Sequence, residues 1–380
     1  MSDCLYFATV VFLLVGLSSS AFAQASGRAG AGMSERDKAG LRGPVKTVVE
    51  EQTVFPADGQ SFSSTTVTEY TSDGKILQRR RENPDGPAWM TSYTYAEDGR
   101  LLKISSGNSG SSPTAEESYT YDEGKRLIGS KSGDREAVRY QYDESGRKTM
   151  TQSYSPDPLP PSVGYAPYWE GTDLGFAPIP GGKLVTSYND HEVATGAKLY
   201  DAQGDLVGHI VRQFDAQGRI TSEQQITDTP ELLVPEDLRS QLNAEQLKGV
   251  GAFIAGGLLD RGITYSYDDR GRMTAVRKTG GAFGDQATTT TYNEHGDVAT
   301  ESTTEAMNPQ AGREYSITDA GKMILSGEAD SVPPPSTYEA RYTYEYDLHG
   351  NWNEQTKVIR STPDAPFTPA STLRRKLTYY

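Results

Sequence analysis

Cysteine is almost missing from this sequence, and long aliphatic runs are missing beyond its first 24 residues. The one cysteine, Cys4, lies in an N-terminal segment that we expect to be removed, which leaves no thiol for a disulfide or a thiolate metal site. Hydrophobic residues make up only 35% of the 380 positions. Because buried parallel strands need continuous Val, Ile and Leu runs, the composition argues against a doubly wound α/β enzyme. Abundant Tyr, Thr and Gly favour thin antiparallel β-sheet.

Recognisable catalytic motifs are missing as well. The sequence has no Gly-x-Ser-x-Gly elbow and no Gly-Lys-Ser/Thr phosphate loop. Its four histidines do not have the spacing of metal ligands; they are His191, His209, His295 and His349. We therefore predict a non-enzymatic protein with no catalytic residue, no cofactor and no metal site. An Asp/Glu pair of the glycosidase type remains open, because carboxylates are plentiful.

Basic residues are too few and too scattered for a nucleic-acid partner. The chain has 51 acidic and 37 basic residues, a net charge of −14, whereas phosphate contacts need clustered Lys and Arg. One basic run is Arg79–Arg81. In a strand these side chains would alternate between faces, which favours a solvated edge strand over a binding patch.

The N-terminus carries an uncharged apolar stretch, Leu5–Leu17, followed by Ala21 and Ala23. Small residues at these two positions are typical of a secretory signal peptide cleaved after Ala23. The stretch is too short to span a bilayer comfortably, so we expect a secreted or periplasmic protein with no transmembrane segment in the mature chain. No Lys or Arg precedes the stretch, and Met33 is an alternative start.

The dominant positive feature is a repeat. Tyr142 begins the stretch YDESGRK, in which an aromatic residue is followed by Asp, then Gly, then a basic residue. Similar stretches recur, and their glycines are often 25 residues apart, as are Gly74 and Gly99. Such a period indicates a repeat architecture.

Each copy is typical of a strand, a tight turn and a return strand. The Asp side chain can accept a hydrogen bond from the backbone of the turn, and the Gly can take the left-handed position that closes it. We therefore predict turn roles, rather than catalytic roles, for Gly74, Gly99, Asp143, Gly146, Asp201, Gly204, Asp215, Gly218, Asp268, Gly271, Gly296, Gly321, Asp347 and Gly350.

The iterated motif resembles the YD repeat of the Rhs family, in particular small exported bacterial YD-repeat proteins without a toxin domain. The resemblance implies an all-β fold: stacked antiparallel hairpins form an elongated, curled sheet, here with one inserted helix. The expected organisation is a signal peptide (1–23), a flexible N-terminal segment (24–40), a first repeat block (41–153), a loop (154–183) and a second repeat block (184–380).

Two segments interrupt the repeats. Residues 154–183 are rich in Pro, Gly and aromatic residues, and the candidate binding residues there are Tyr165, Tyr168, Trp169 and Phe176. Rigid rings on a long loop can stack on a ligand at low entropy cost, or they can cap the sheet as a small core. Residues 234–258 predict a helix from an apolar stripe that includes Leu238, Leu242 and Leu247.

Together these features predict binding or scaffolding at the cell envelope, with a carbohydrate or peptide partner at an aromatic face. Two alternatives remain at this stage. One is a glycan-hydrolysing enzyme that uses an Asp/Glu pair, and the other is a fragment of an Rhs-type toxin-encapsulating shell.

Overall fold

The structure is a computed structural model. It describes residues 34–56, 59–83, 86–157, 174–176, 179–234, 236–281, 284–308, 314–317, 323–326 and 334–380. The chain forms two compact units. The described part of unit 1 lies within Val138–Thr288 and Thr303–Ser336, and that of unit 2 within Ser19–Ala137, Thr289–Ser302 and Thr337–Tyr380.

Strands dominate both units. They are β1 (Val45–Val54), β2 (Phe62–Tyr70), β3 (Ile76–Asn83), β4 (Gly86–Tyr95), β5 (Leu101–Asn108), β6 (Ala115–Tyr121), β7 (Leu127–Ser132), β8 (Arg135–Tyr142), β9 (Lys148–Tyr154), β10 (Lys183–Tyr188), β11 (Ala194–Tyr200), β12 (Leu206–Phe214), β13 (Ile220–Thr227), β14 (Arg261–Tyr267), β15 (Met273–Gly280), β16 (Asp285–Tyr292), β17 (Val298–Ala306), β18 (Glu314–Ile317), β19 (Met323–Ser326), β20 (Ser336–Tyr346), β21 (Trp352–Arg360) and β22 (Thr368–Tyr379). β18 and β19 form a separate two-stranded sheet, and the others belong to one 20-stranded sheet.

The prediction of an elongated, curled sheet of stacked repeats is wrong, because the sheet is closed. β1 pairs antiparallel with β2 on one side, where Glu50 faces Thr66. On its other side β1 pairs antiparallel with β22, where Glu50 faces Arg375. The first and last strands of the sheet are therefore neighbours, and neither is a free edge. The pairing of β1 with β22 could not be predicted from the turn motifs, because it joins residues more than 300 positions apart.

The hairpin turns follow from local hydrogen bonding. In the turn after β8, the amide of Gly146 donates to the carbonyl of Asp143, and the amide of Asp143 donates to the carbonyl of Arg147. A backbone like this needs one residue with a left-handed φ, which glycine adopts most easily. The turn after β6 is an exception, because Lys125, and not Gly124, has the positive φ there.

Successive turns are joined by tyrosine hydroxyls. Tyr95 donates to the carbonyl of Ile76, and Tyr121 donates to that of Leu101, at 2.8 and 2.6 Å. Each acceptor lies two residues after the glycine of the preceding turn. The same relation recurs in unit 1, where Tyr267 donates to Ile220. In these three cases the tyrosine of the motif fastens a hairpin to the one before it.

Each unit has its own small core. In unit 1 the core lies on the face of β10–β14 and contains Leu174, Phe176, Leu184, Ala194, Ala197, Leu199, Val207, Ile210 and Ile263. In unit 2 the core lies beside the turn between β2 and β3 and contains Leu41, Val45, Val48, Tyr70 and Ile76. Much of the remaining sheet in unit 2 is only half-buried, which accounts for the low hydrophobic content.

Helices are short. α1 (Glu35–Lys38) is in unit 2, and α2 (Glu236–Arg239) and α3 (Ala244–Ile254) are in unit 1. Asn243 and Gln246 cap α3 reciprocally through their side chains. The interval 234–258 that predicted one helix thus contains α2, α3 and most of a π-helical turn, Ala255–Leu259. Leu238, Val250 and Val234 form a common core. No helix within the described ranges is long and apolar enough to cross a membrane.

Candidate functional site on a half-buried sheet face

The predicted aromatic binding loop is only partly within the described residues. Tyr165, Tyr168 and Trp169 lie outside them. Phe176 lies within them and is 2% exposed in the core of unit 1. Its ring is therefore packed inside the core and presents no exposed surface in this structure. The position of Phe176 agrees with the alternative interpretation, in which aromatic residues of the loop pack on the sheet as a small core.

Residues 174–176 are held against the sheet by specific polar contacts. The amide of Gly175 donates to Oε1 of the buried Gln225, and Arg261 Nη2 donates to the Gly175 carbonyl, at 3.1 and 3.0 Å. A Cβ at Gly208 would lie 2.6 Å from the ring of Phe176. Glycine at this position of β12 thus makes room for the ring.

The motif residues occupy turns. Glycine φ values in eight of them lie between +76° and +93°, and each of these amides donates to the carbonyl three residues earlier; the eight are Gly74, Gly99, Gly146, Gly204, Gly218, Gly271, Gly296 and Gly350. Gly321 lies outside the described residues. In the same turns a carboxylate oxygen accepts from the amide four residues later at Asp143, Asp201, Asp215, Asp268 and Asp347.

In several of these turns an arginine side chain binds the turn aspartate. Arg147, Arg219 and Arg272 each donate from Nε to the turn aspartate four residues earlier, at 2.6–2.9 Å. The guanidinium of Arg219 also lies over the ring of Tyr267, 4.8 Å from its centroid. These charges are engaged within the repeat, so these three arginines are not free to bind a ligand.

The basic run of β3 behaves differently. β3 pairs with both β2 and β4, so the expectation of a solvated edge strand is wrong. Arg80 forms an ion pair with Glu82. Arg79 and Arg81 face Thr68 and Thr66 of β2. Since side chains alternate along a strand, Arg79 and Arg81 share one face and Arg80 points to the other.

Strand register places a row of side chains on the face that Arg81 occupies. Directly opposed residues of antiparallel strands lie on the same face. The row runs from Arg375 on β22 through Glu50, Thr66 and Arg81 to Trp89 on β4. Four strand spacings correspond to about 19 Å. We call this side of the sheet the Trp89 face.

The two ends of the row differ in exposure. Trp89 is 44% exposed. At the other end the side chain of Arg375 is 12% exposed, forms a 2.9 Å ion pair with Glu50, and stacks 3.3 Å from the centroid of the Trp352 ring. Burial lowers the pKa of Arg375, whereas Glu50 raises it. The row therefore has an accessible aromatic end and a fixed, charge-paired end.

Polar aromatic side chains continue the face on β20. Tyr344 faces Gln355, and Gln355 faces Leu373, two residues before Arg375. Gln355 Nε2 donates to the Tyr344 hydroxyl at 3.1 Å, and the ring of Tyr344 meets Trp352 edge-on at 6.2 Å. Burial raises the pKa of Tyr344 well above its usual value, so its hydroxyl stays neutral and able to donate.

One acceptor next to this cluster has no donor. Asn353 lies two residues before Gln355, at the irregularity in the pairing of β20 with β21. Its Oδ1 atom is buried, and no hydrogen-bond donor for it is found within the described structure. A buried amide oxygen of this kind carries a desolvation cost of about 1–3 kcal/mol unless it is satisfied.

The polar and aromatic side chains of the Trp89 face can bind polar molecules. No cluster of three or more His, Cys, Asp or Glu side chains among the described residues could hold a metal ion. The ring of His295 stacks on Tyr346, and the ring of His349 lies tilted against Tyr379, each beside its turn. In the row itself the only carboxylate is Glu50, and it is engaged by Arg375.

Trp89, Arg81, Trp352 and Arg375 were missed as candidate residues from the sequence. Each lies in a separate strand, and the strand pairings that relate them are not visible in the sequence. The feature of the sequence that could have pointed to this face is the run Arg79–Arg81. In a strand, Arg79 and Arg81 lie on one face and Arg80 lies on the other.

Comparisons with known proteins show structural neighbours only. No family model matches the chain, and no curated protein matches it. A porin-like protein from Bacteroides uniformis aligns at TM-score 0.32 and 10% identity, over 89% of this chain and 99% of the other. A porin-like protein from Bacteroides vulgatus aligns at TM-score 0.22 and 12% identity, over 88% and 98%. The complex TcdB2-TccC3 without its hypervariable C-terminal region aligns at TM-score 0.24 and 11% identity, over 86% of this chain and 19% of that one.

These scores are too low for the likeness to support an argument about fold or function. The resemblance of the repeat motif to the YD family therefore stays an interpretation of the sequence.

Proposed function

We propose that this protein is a non-enzymatic binding protein of the cell envelope that holds a carbohydrate on the Trp89 face. The observation that carries the proposal is the row from Arg375 to Trp89, which places hydrogen-bonding side chains beside an exposed tryptophan across five neighbouring strands. A rigid ring offers a large contact area at low entropy cost, and the adjacent polar groups fix a ligand's orientation.

Carbohydrate fits this face better than an extended peptide. A peptide that adds to a sheet by main-chain hydrogen bonding needs a free strand edge. β22, β1, β2 and β3 each pair on both sides, so recognition here must use side chains. Hydroxyl-rich sugars match the Thr, Gln and Tyr groups of the face.

A hydrolytic function has less support. Glycoside hydrolysis ordinarily needs two carboxylates on either side of the scissile bond. Glu50 is the single carboxylate of the row, and its ion pair with Arg375 holds it away from that role.

The binding proposal is tested with purified mature protein on a glycan array, followed by calorimetric titration of each hit. Trp89→Ala should abolish binding of the hits, since the exposed ring supplies the stacking surface. Leu348→Ala is the control, because it removes an exposed apolar side chain from a turn and not from the Trp89 face. A blank array, or equal loss in both variants, would refute the proposal.

Location at the envelope rests on the N-terminal sequence alone. If export occurs as proposed, N-terminal sequencing of the protein from the native host will find Gln24 first. An intact N-terminus at Met1 or Met33 would contradict it.

A further inference from the structure

We infer that the ligand of the Trp89 face is an acidic carbohydrate, whose carboxylates are bound by Arg79 and Arg81. This inference rests on the proposed function and adds the chemical class of the ligand. Arginine is suited to this task because its planar guanidinium forms paired hydrogen bonds with a carboxylate.

The first supporting observation is the geometry of β3. Arg79 and Arg81 lie on the Trp89 face, opposite Thr68 and Thr66. Residues two apart on a strand are about 7 Å apart, so the two cations form a short, regularly spaced pair. Arg80 lies on the opposite face with Glu82 as its partner.

The second observation is that both guanidiniums lack an acidic partner. Arg79 and Arg81 are exposed. Arg79 Nε donates to Thr68 Oγ1 at 3.4 Å, and neither arginine forms an ion pair with any residue that the structure describes. By contrast, the turn arginines are engaged by aspartates, as in the pair of Arg147 with Asp143. Two unneutralised arginines stand out in a chain of net charge −14.

The third observation relates charge to the aromatic surface. Arg81 directly faces Trp89 across β3 and β4, at a Cβ separation of about 5 Å for such pairs. In a uronic acid the carboxylate projects from the edge of the sugar ring. A sugar stacked on Trp89 would therefore present its carboxylate to Arg81, and the next acidic unit could reach Arg79. The nearest protein carboxylate in the row, Glu50, does not compete, since Arg375 holds it.

The test compares hexagalacturonate with its methyl ester, two probes that share the sugar backbone and differ in charge. Binding of each is measured by calorimetry for wild type, Arg79→Gln, Arg81→Gln and the control Arg80→Gln. A lost charged hydrogen bond corresponds to about tenfold in affinity. We expect the acid to bind at least about tenfold more tightly than the ester. Arg81→Gln should remove that preference, and Arg80→Gln should behave as wild type.

The outcomes separate the two proposals. If acid and ester bind equally, and Trp89→Ala abolishes both, the face binds carbohydrate and the inference about charge is wrong. If neither probe binds and the glycan array is blank, both proposals fail. If Arg80→Gln weakens binding of the acid as much as Arg81→Gln does, or single-stranded DNA binds as tightly as the acid, the attraction is nonspecific and the inference is overturned. Thermal unfolding of each variant verifies that the fold is intact.

Discussion

The hydroxyl of Tyr121 donates a 2.6 Å hydrogen bond to the main-chain carbonyl of Leu101, 20 residues earlier in the sequence. The guanidinium of Arg100 lies over the same ring, 4.8 Å from its centroid. Each turn of this kind therefore holds the aromatic residue of the next hairpin from two directions. This contact explains why Tyr accompanies Gly and Arg in the repeat.

Loss of this hydroxyl should weaken the fold measurably. Tyr121→Phe keeps the ring beneath Arg100 and removes only the hydrogen bond, so we expect a loss of about 1 kcal/mol in the free energy of unfolding. Urea denaturation measures it. Tyr338→Phe is the control, because its hydroxyl has no hydrogen-bond partner in the described part of the chain, and the expected change is under about 0.5 kcal/mol. Equal effects would show that the inter-turn bond contributes nothing.

The left-handed turn glycines should resist substitution for conformational reasons alone. Gly218 has a φ of +76°, and a Cβ there would meet no atom within 4 Å. Gly218→Ala should therefore cost about 1–2 kcal/mol purely from the backbone. Gly256 also has open space for an added methyl group but no left-handed φ. Gly256→Ala should leave the urea midpoint unchanged or raise it, and a matching loss in both variants would contradict this explanation.

Phe176 should act as a core residue and not as a ligand contact. Truncation of a buried phenylalanine typically costs about 3–5 kcal/mol, so Phe176→Ala should lower the unfolding midpoint strongly. Phe62→Ala serves for comparison, since Phe62 is 56% exposed and its truncation should cost under about 0.5 kcal/mol. If Phe176→Ala were as stable as wild type, residues 174–176 would not be packed on the sheet as described.

Acid should weaken the turn that begins at Asp143. Hydrogen bonds from the Ser145 hydroxyl and the Arg147 amide, with the nearby Arg147 charge, lower the pKa of Asp143 from 3.8 to about 2. A carboxyl whose pKa is lower in the folded state stabilises that state above the unfolded pKa. This stabilisation is lost as the pH falls from about 4 to about 2.

Asp143→Asn tests this dependence. An amide can keep the backbone bonds of the turn, as Asn293 does by accepting from the amide of Asp297, but it cannot titrate. The stability difference between wild type and Asp143→Asn should be constant well above pH 4 and shrink towards pH 2. Ser145→Ala should reduce the difference by raising the pKa of Asp143. A difference that does not vary over this range would contradict the assignment.

Local chemistry explains which features the sequence could predict. An Asp, a Gly three residues later and an Arg after it satisfy each other's hydrogen bonds within five residues, so the turns could be located without knowing what surrounds them. The loop rich in Pro, Gly and aromatic residues could not be interpreted in the same way. Whether Phe176 faces solvent or a core depends on Gly208 and Gln225, which lie 32 and 49 positions away in the sequence.

The sequence by itself determined that the chain forms hairpins whose turns contain Asp and Gly and whose strands carry Tyr. The hydrogen bonds within each turn are short-range, and the motif that provides them is repeated. Only the tertiary structure decided that the sheet closes and that Arg81, Glu50, Arg375 and Trp89 share a face. The alternation of side chains shows which residues of one strand share a face of the sheet. Only the register between strands shows which residues of neighbouring strands lie opposite one another. The contact of Glu50 with Arg375 spans 325 positions, and no local pattern encodes a pairing over that distance.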